Sequence, residues 1–208
     1  MNNENLELAY AIQKKFLQNK EISAYKVGAS NLTSKKFFNT NNIIIGGIEE
    51  KNIYKNEIEK DYQVAELEVI LKIQYNLKNP DKFKVLNTFI GIECPLPEIQ
   101  NEKGSEFICI ADNCSSGDLI LIKEIKNTDI KTFDLIVFGK NKQFKIKANL
   151  EMLVYSIDEI ILKTLNLIKD HNLPSNKEIF VSTGGISEIF SLESSQSLRV
   201  KFNEQNRN

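Results

Sequence analysis

The stretch "QVAELEVILKI" (Gln63–Ile73) sets two glutamates inside a run that otherwise has the pattern of a buried strand. Alternation places Ala65, Leu67, Val69, Leu71 and Ile73 on one face, and Val64, Glu66, Glu68 and Ile70 on the other. The first face is apolar throughout and must be core. On the second, Glu66 and Glu68 lie roughly 7 Å apart at Cα, from the strand rise. Carboxylates at that spacing repel, and partial burial makes each costly unless it is paired or metal-bound. A hard divalent cation such as Mg²⁺ or Mn²⁺ resolves both problems, because it prefers oxygen ligands and leaves positions open for substrate. The alternative is an ordinary strand whose second face is solvated. Flanking Val64 and Ile70 weigh against full exposure, and "FIGIECPLPEI" (89–99) offers a third carboxylate in Glu93, unless that is a simple strand-end residue.

Outward from this stretch, short apolar runs separated by polar punctuation continue from Ile22 to Phe144. They include "NIIIGGI", "KVLNTFIGIE", "EFICIADN", "DLILIKEI" and "FDLIVFG", and they predict strands. Before them, Leu6, Ala9, Ile12, Phe16 and Leu17 recur at helical spacing, which predicts an N-terminal helix within residues 1–20. After them, "YSIDEIILKTLNLIKDHNLP" carries a capping box in Ser156 and Glu159 and stops at Leu173-Pro174. "EIFVSTGG" and "SLRVKF" predict two further strands. No repeat or linker divides the chain. The expectation is one β-rich α+β domain over 1–208, with a helix near each end and a frayed tail at 203–208.

Composition excludes several classes. At 208 residues and 41% hydrophobic content the chain can bury a substantial core. Lys+Arg 27 against Asp+Glu 28 gives a net charge of -1 with no basic stripe, which argues against nucleic acid and membrane partners. Cys94, Cys109 and Cys114 form no C-x-x-C pair, as in a reduced intracellular protein, and with no histidine nearby they read as small buried hydrophobes. The start "MNNENLELAY" has no basic and apolar leader, and the apolar runs are too short to span a bilayer, so a cytoplasmic location is expected. No phosphate-binding glycine loop is present, and Ser115 and Ser116 lack a histidine partner. His171, the single histidine, falls at the end of the second helix, where it suits the helix dipole.

Four segments in order, "AYKVGASN", "VAELEVIL", "GIEC" and "ADNCSSGDLIL", resemble the 2-keto-4-pentenoate hydratase and 4-oxalocrotonate decarboxylase group of the fumarylacetoacetate hydrolase superfamily. The match runs from about Ala24 to Asp118 and more weakly through "STGG" to Phe202. It implies a fumarylacetoacetate-hydrolase-like mixed β-sandwich roll. It also implies that Glu66, Glu68 and Glu93 hold one Mg²⁺ or Mn²⁺, and that Lys26 contacts a 2-oxo acid substrate and assists proton transfer. Thr183 and Gly184 correspond to the segment lining the pyruvate-like end of the pocket. Asp112 and Asn113 correspond to a turn near the ligand, for which Asx-type turn chemistry is the alternative. Gly28 would allow close backbone approach beside Lys26.

Where the family carries an acidic pair, "IIGGIEEKNIY" offers Glu50 as the implied acid–base group. "CPLP" replaces the family's D-S-R-like segment, and the lone His171 is misplaced for the superfamily's C–C hydrolases. The implied activity is a metal-dependent lyase, a hydratase with decarboxylase as the close variant. Its substrate would be a short 2-oxo or 2-hydroxydienoic acid such as 2-hydroxypenta-2,4-dienoate, and the resemblance implies a homo-oligomer. The altered acidic loop and shortened termini motivate the alternative, a diverged non-catalytic member acting as a binding or partner subunit.

Overall fold

The computed structural model describes residues 3–56, 58–126, 131–140 and 142–202. The expected tail at 203–208 lies outside them. A mixed sheet is built from β1 (Ile22–Gly28), β2 (Ile44–Glu49), β3 (Ile53–Lys55), β4 (Tyr62–Gln74), β5 (Lys84–Cys94), β6 (Asp118–Ile125), β9 (Glu178–Ser182) and β10 (Phe190–Leu192). Its order is β2-β1-β9-β4-β5-β6-β3, with β10 pairing β4. A second sheet, in the order β11-β7-β8, contains β7 (Thr132–Phe138), β8 (Gln143–Asn149) and β11 (Ser197–Phe202). The helices are α1 (Asn3–Leu17), α2 (Leu32–Phe38), α3 (Glu106–Ala111) and α4 (Ile157–Asp170). The protein is thus β-rich and α+β, and the expected helices near the two ends are α1 and α4. No helix among the described residues is long and apolar enough to cross a membrane.

Ala65, Leu67, Val69, Leu71 and Ile73 are buried in the main core, together with Ile160, Ile161, Leu165 and Ile168 of α4. Each such side chain is worth about 1.5–3 kcal/mol against exposure. The start of α4 holds the predicted capping box, with both Ser156–Glu159 bonds formed. At its other end His171 stacks on Tyr10 with ring centroids 3.8 Å apart, and burial pushes its imidazole below the ordinary range. Of the second-face residues Val64, Glu66, Glu68 and Ile70, only the first two meet solvent, Val64 exposed and Glu66 partly so. Ile70 joins a smaller cluster with Ala24, Ile48, Leu119 and Leu121, and Glu68 is buried beside it.

Two helices depart from the predicted pattern. "EFICIADN" forms α3, not a strand, because Ser105 caps it by accepting from the Ile108 N–H and so offers the chain a helical start. Likewise Asn31 caps α2 by accepting from the Ser34 N–H at 2.9 Å. In both segments a local cap outweighs strand-like composition.

Strand β9, late in the chain, lies between β1 and β4, parallel to the first and antiparallel to the second. Its register matches Lys26 with Ser182 and Ser182 with Ile70. Paired residues share a sheet face, so Lys26 and Ser182 stand on the same side as Glu66 and Glu68. That one row of pairings positions the site.

Candidate metal centre and cavity

The β4–β5 register sets Glu66 directly opposite Glu93 and Glu68 opposite Gly91. A side chain at Gly91 would overlap the Ile70 side chain and the Ile120 carbonyl, so glycine keeps this part of the strand pair clear. Glu66, Glu68 and Glu93 each offer a carboxylate oxygen within 4.8 Å of the others. Glu68 is 1% exposed and Glu93 0%, whereas Glu66 is partly exposed. The solvated-strand alternative therefore fails at two of the three positions.

The "STGG" segment after β9 anchors the pair on β4. Ser182 Oγ donates a short hydrogen bond to Glu68 Oε2, and the Gly184 N–H donates to the same oxygen at 2.9 Å. Gly184 holds φ +93°, where only glycine is unstrained, and a side chain there would overlap Ser30 Oγ. At Gly185 an added Cβ would sit 2.9 Å from the Glu66 carboxylate. Small residues are thus required where the backbone meets the acids.

Lys26 Nζ lies 3.5 Å from both Glu93 oxygens. Burial opposes its ammonium more than any single neighbour supports it, but Glu93 together with Cys109, Cys114 and Glu68 outweighs that and holds the lysine above its ordinary range, so it stays charged at neutral pH. Burial, more than Glu66, lifts Glu93 to about 7, with Lys26 pulling the other way. Glu68 is raised well above the carboxylate range by burial first, then by Glu93 and Glu66. Burial raises Glu66 as well.

Two buried acids and a partly exposed one thus face one lysine, and Glu93 Oε1 has no hydrogen-bond donor. An orphaned carboxylate oxygen beside two others is a donor set that a hard divalent cation fits. Above it opens a cavity of about 220 Å³, with Lys26, Glu66 and Glu68 on its polar wall and Phe38, Pro95 and Ile189 among its apolar lining. Gly28 also lines it, and a Cβ there would meet the Ile44 side chain at 2.9 Å.

The other predicted residues fall elsewhere. Glu50 is exposed and borders a separate hollow with Ser23, Lys55 and Glu178, so it is not brought to the carboxylates. The cause is register: Ile22 pairs with Glu49, at the end of β1 remote from Lys26. Asn113 is a structural clamp. Its Oδ1 accepts from the Gly47 N–H at 2.8 Å and from Gln13 Nε2 at 3.3 Å, while its Nδ2 donates to the Gly47 carbonyl at 2.8 Å. Asp112 ends α3 and accepts from Ser115 Oγ at 3.2 Å, which is the Asx-type turn alternative. Thr183 is fully buried, its N–H bonded to the Val69 carbonyl, and it does not line the cavity. Gly184 meets Glu68 and not the cavity wall.

Two residues of the site went unread in the sequence. Ser182 carries no motif of its own and is recognisable only through the β1–β9–β4 register. Asn31 lines the cavity and donates to the Gly185 carbonyl at 3.1 Å, and its preference for helix N-caps was the available signal.

No family model matches the sequence, and no curated protein does. Among solved structures, 4-oxalocrotonate decarboxylase from Pseudomonas putida G7, complexed with magnesium and adipate, matches with TM-score 0.71 and 15% identity over 92% of this chain and 80% of that one. The same enzyme complexed with calcium and acetate matches with TM-score 0.67 and 14% identity over the same shares. The chain therefore has the fold of 4-oxalocrotonate decarboxylase, the fumarylacetoacetate-hydrolase-like fold that its four motifs imply.

Proposed function

We propose that this protein is a metal-dependent enzyme of the fumarylacetoacetate hydrolase superfamily acting on a short 2-oxo acid. The observation that carries this reading is the group of three converging carboxylates, two fully buried, with Glu93 Oε1 lacking a donor. Glu66, Glu68 and Glu93 would hold Mg²⁺ or Mn²⁺. When bound, such an ion supplies Lewis-acid polarisation of a 2-oxo group and its neighbouring carboxylate.

The chain's own residues do the rest. Lys26, held protonated beside Glu93, anchors the anionic substrate by charge and hydrogen bond at Nζ and is not available as a base. Phe38, Pro95 and Ile189 supply apolar wall and limit water. The finer reading is a hydratase using 2-hydroxypenta-2,4-dienoate, with decarboxylation the close variant. Lys26 is the single basic side chain among the described cavity residues, which favours one substrate carboxylate over two. The reading extends to a cytoplasmic homo-oligomer.

A second reading has its own support. Glu50, the implied acid–base group, borders another hollow, as a non-catalytic binding or partner subunit would tolerate.

One experiment separates the two. Thermal melts with and without Mg²⁺ or Mn²⁺, on wild type and Glu66→Gln/Glu68→Gln, report binding through linkage. The enzyme reading expects a metal-dependent rise in the wild type alone, with turnover of 2-hydroxypenta-2,4-dienoate. Metal binding without turnover across a panel of 2-oxo acids selects the non-catalytic subunit. An unchanged wild-type melt removes the metal site.

A further inference from the structure

Helix α1 carries apolar side chains on two faces. Ala9, Tyr10 and Leu17 are buried in the core, and Gln13 on the same side donates to the Ile45 carbonyl at 2.6 Å. Leu8, Ile12 and Phe16 lie on another side and are 53%, 41% and 38% exposed. The sequence pattern merges the two sets, because Ile12 and Phe16 share helical spacing with Ala9 and Leu17. A helix that packs on one side needs a single apolar face, as α4 has in Ile160, Ile161, Leu165 and Ile168. The second face of α1 is left without a partner in the folded chain.

Leu8, Ile12 and Phe16 stand four residues apart. Each interval advances about 6 Å along the axis and turns about 40°, so the three form one continuous stripe. At about 100° per residue, Glu4 and Lys15 fall together on one flank of that stripe, while Glu7 and Lys14 fall well away from it. Glu7 instead faces His171, 3.5 Å from its Nδ1. At the far end of the stripe the Lys20 ammonium lies 3.3 Å from the centre of the Phe16 ring.

One flank thus has an acid near the start of the stripe and a base near its end. Two such helices packed in parallel would set Glu4 against Glu4 and Lys15 against Lys15, which repel. Packed antiparallel, about a two-fold axis between Leu8 and Ile12, they set Leu8 against the partner's Ile12 and Glu4 against the partner's Lys15. Their helix dipoles then also run in opposite directions, the favourable arrangement for neighbouring helices. The stripe is complementary to itself in one direction only, as an isologous contact requires.

We propose that the Leu8–Ile12–Phe16 face of α1 is the surface on which a second copy of this chain docks, antiparallel, with a Glu4–Lys15 ion pair at each edge. The homo-oligomer attached to the proposed enzyme has no assigned face. This one rests on α1 alone and not on the metal centre or its chemistry. A single helix face is small beside the roughly 1,600 Å² that a standard interface buries, so the association is reversible and depends on concentration. Burial of the stripe drives it, and the charged edges set its direction more than its strength.

Sedimentation velocity on the full chain over a concentration series tests this. The mass should rise with concentration from 23.8 kDa toward twice that value. Ile12→Glu should hold it at one chain, with a wild-type far-UV spectrum because Ile12 is exposed. Glu4→Lys and Lys15→Glu should each weaken association about tenfold, since both edge pairs become repulsions. An equimolar mixture of those two variants should recover wild-type association, because the mixed pair sets a lysine against a glutamate at both edges. Both positions are exposed, so the mixture decides the matter even if Ile12→Glu fails to fold. A mass of one chain at every concentration would overturn the proposal and give the face to another occupant. Undiminished association of folded Ile12→Glu would overturn it by placing the contact elsewhere. A mixture that associates no better than its parts would overturn the antiparallel pairing. None of these readouts involves a metal or turnover, so their failure leaves the proposed enzyme untouched.

Discussion

Lys26 Nζ stands 3.5 Å from both carboxylate oxygens of Glu93, although β9 and β4 lie between their strands. In a flat sheet three strand spacings would part the two backbones by roughly 14 Å. The two side chains span that interval on one face of the sheet, and their meeting brings one lysine to the three acids. Replacing Lys26 by methionine leaves Glu93 buried with no counter-charge. Metal-free Lys26→Met should lose roughly 3–5 kcal/mol in urea melts at a pH above the Glu93 value. Saturating Mg²⁺ should restore much of that loss by supplying positive charge in its place. Equal losses with and without Mg²⁺ would refute a shared electrostatic site.

Ser182 is a positioning residue for Glu68. Its hydroxyl and the Gly184 N–H both donate to Glu68 Oε2 and so fix a carboxylate that lies within 4.8 Å of those of Glu66 and Glu93. Ser182→Ala should weaken Mg²⁺ binding about 10–100-fold, the usual cost of removing a group that orients a metal ligand. Calorimetric titration checks this, and an unchanged Kd would show that Gly184 alone suffices.

Asn113 should behave in the opposite way. Asn113→Ala strips the Gly47 N–H and carbonyl and the Gln13 amide of a buried partner. At roughly 1–3 kcal/mol per unpaired group the loss should reach several kcal/mol, enough to lower Tm plainly. Mg²⁺ affinity of the folded fraction should not change. A tenfold loss of affinity would return Asn113 to the ligand-contacting role that the resemblance implies.

These contrasts show where sequence carried the argument and where it stopped. The acidic face of β4 was legible because strand alternation is local, and the capping box of α4 because Ser156 and Glu159 lie in one turn. Glu93 was legible as an acid closing an apolar strand. Its pairing with Glu66 is set by β4–β5 register, which no local pattern encodes. Glu50 and Asn113 were misplaced for the same reason, since each is decided by what β1 and β2 bring near. The α3 segment was misjudged because a single capping serine outweighed apolar strand-like composition.

Glu50 gives a direct check on that correction. It is exposed, and its hollow shares no residue with the carboxylate cavity. Glu50→Gln should leave Mg²⁺ affinity, the kcat of any turnover found, and stability within about 0.5 kcal/mol of wild type, as surface substitutions do. A fall in kcat of a hundredfold would mean that Glu50 reaches the substrate in a conformation other than this one.

The metal-free protein should also carry a distinctive pH dependence. Glu93 titrates at about 7 in the fold against an ordinary 4.5, so between those values the folded state binds more protons than the unfolded. Stability is then full below 4.5 and is lost as pH rises through 7, the reverse of a carboxylate whose pKa the fold depresses. At 1.36 kcal/mol per pK unit, Glu93 alone contributes roughly 3 kcal/mol to that decline. Glu68, raised in the same direction by burial and its two acidic neighbours, steepens it. Mg²⁺ binds the deprotonated carboxylates, so its stabilising effect should grow over the interval in which the metal-free protein weakens. Urea melts in EDTA and in saturating Mg²⁺, at a pH below 4.5 and one above 7, measure both slopes. Parallel curves would mean that proton and metal do not compete for these oxygens, and the three-carboxylate centre would have to be abandoned.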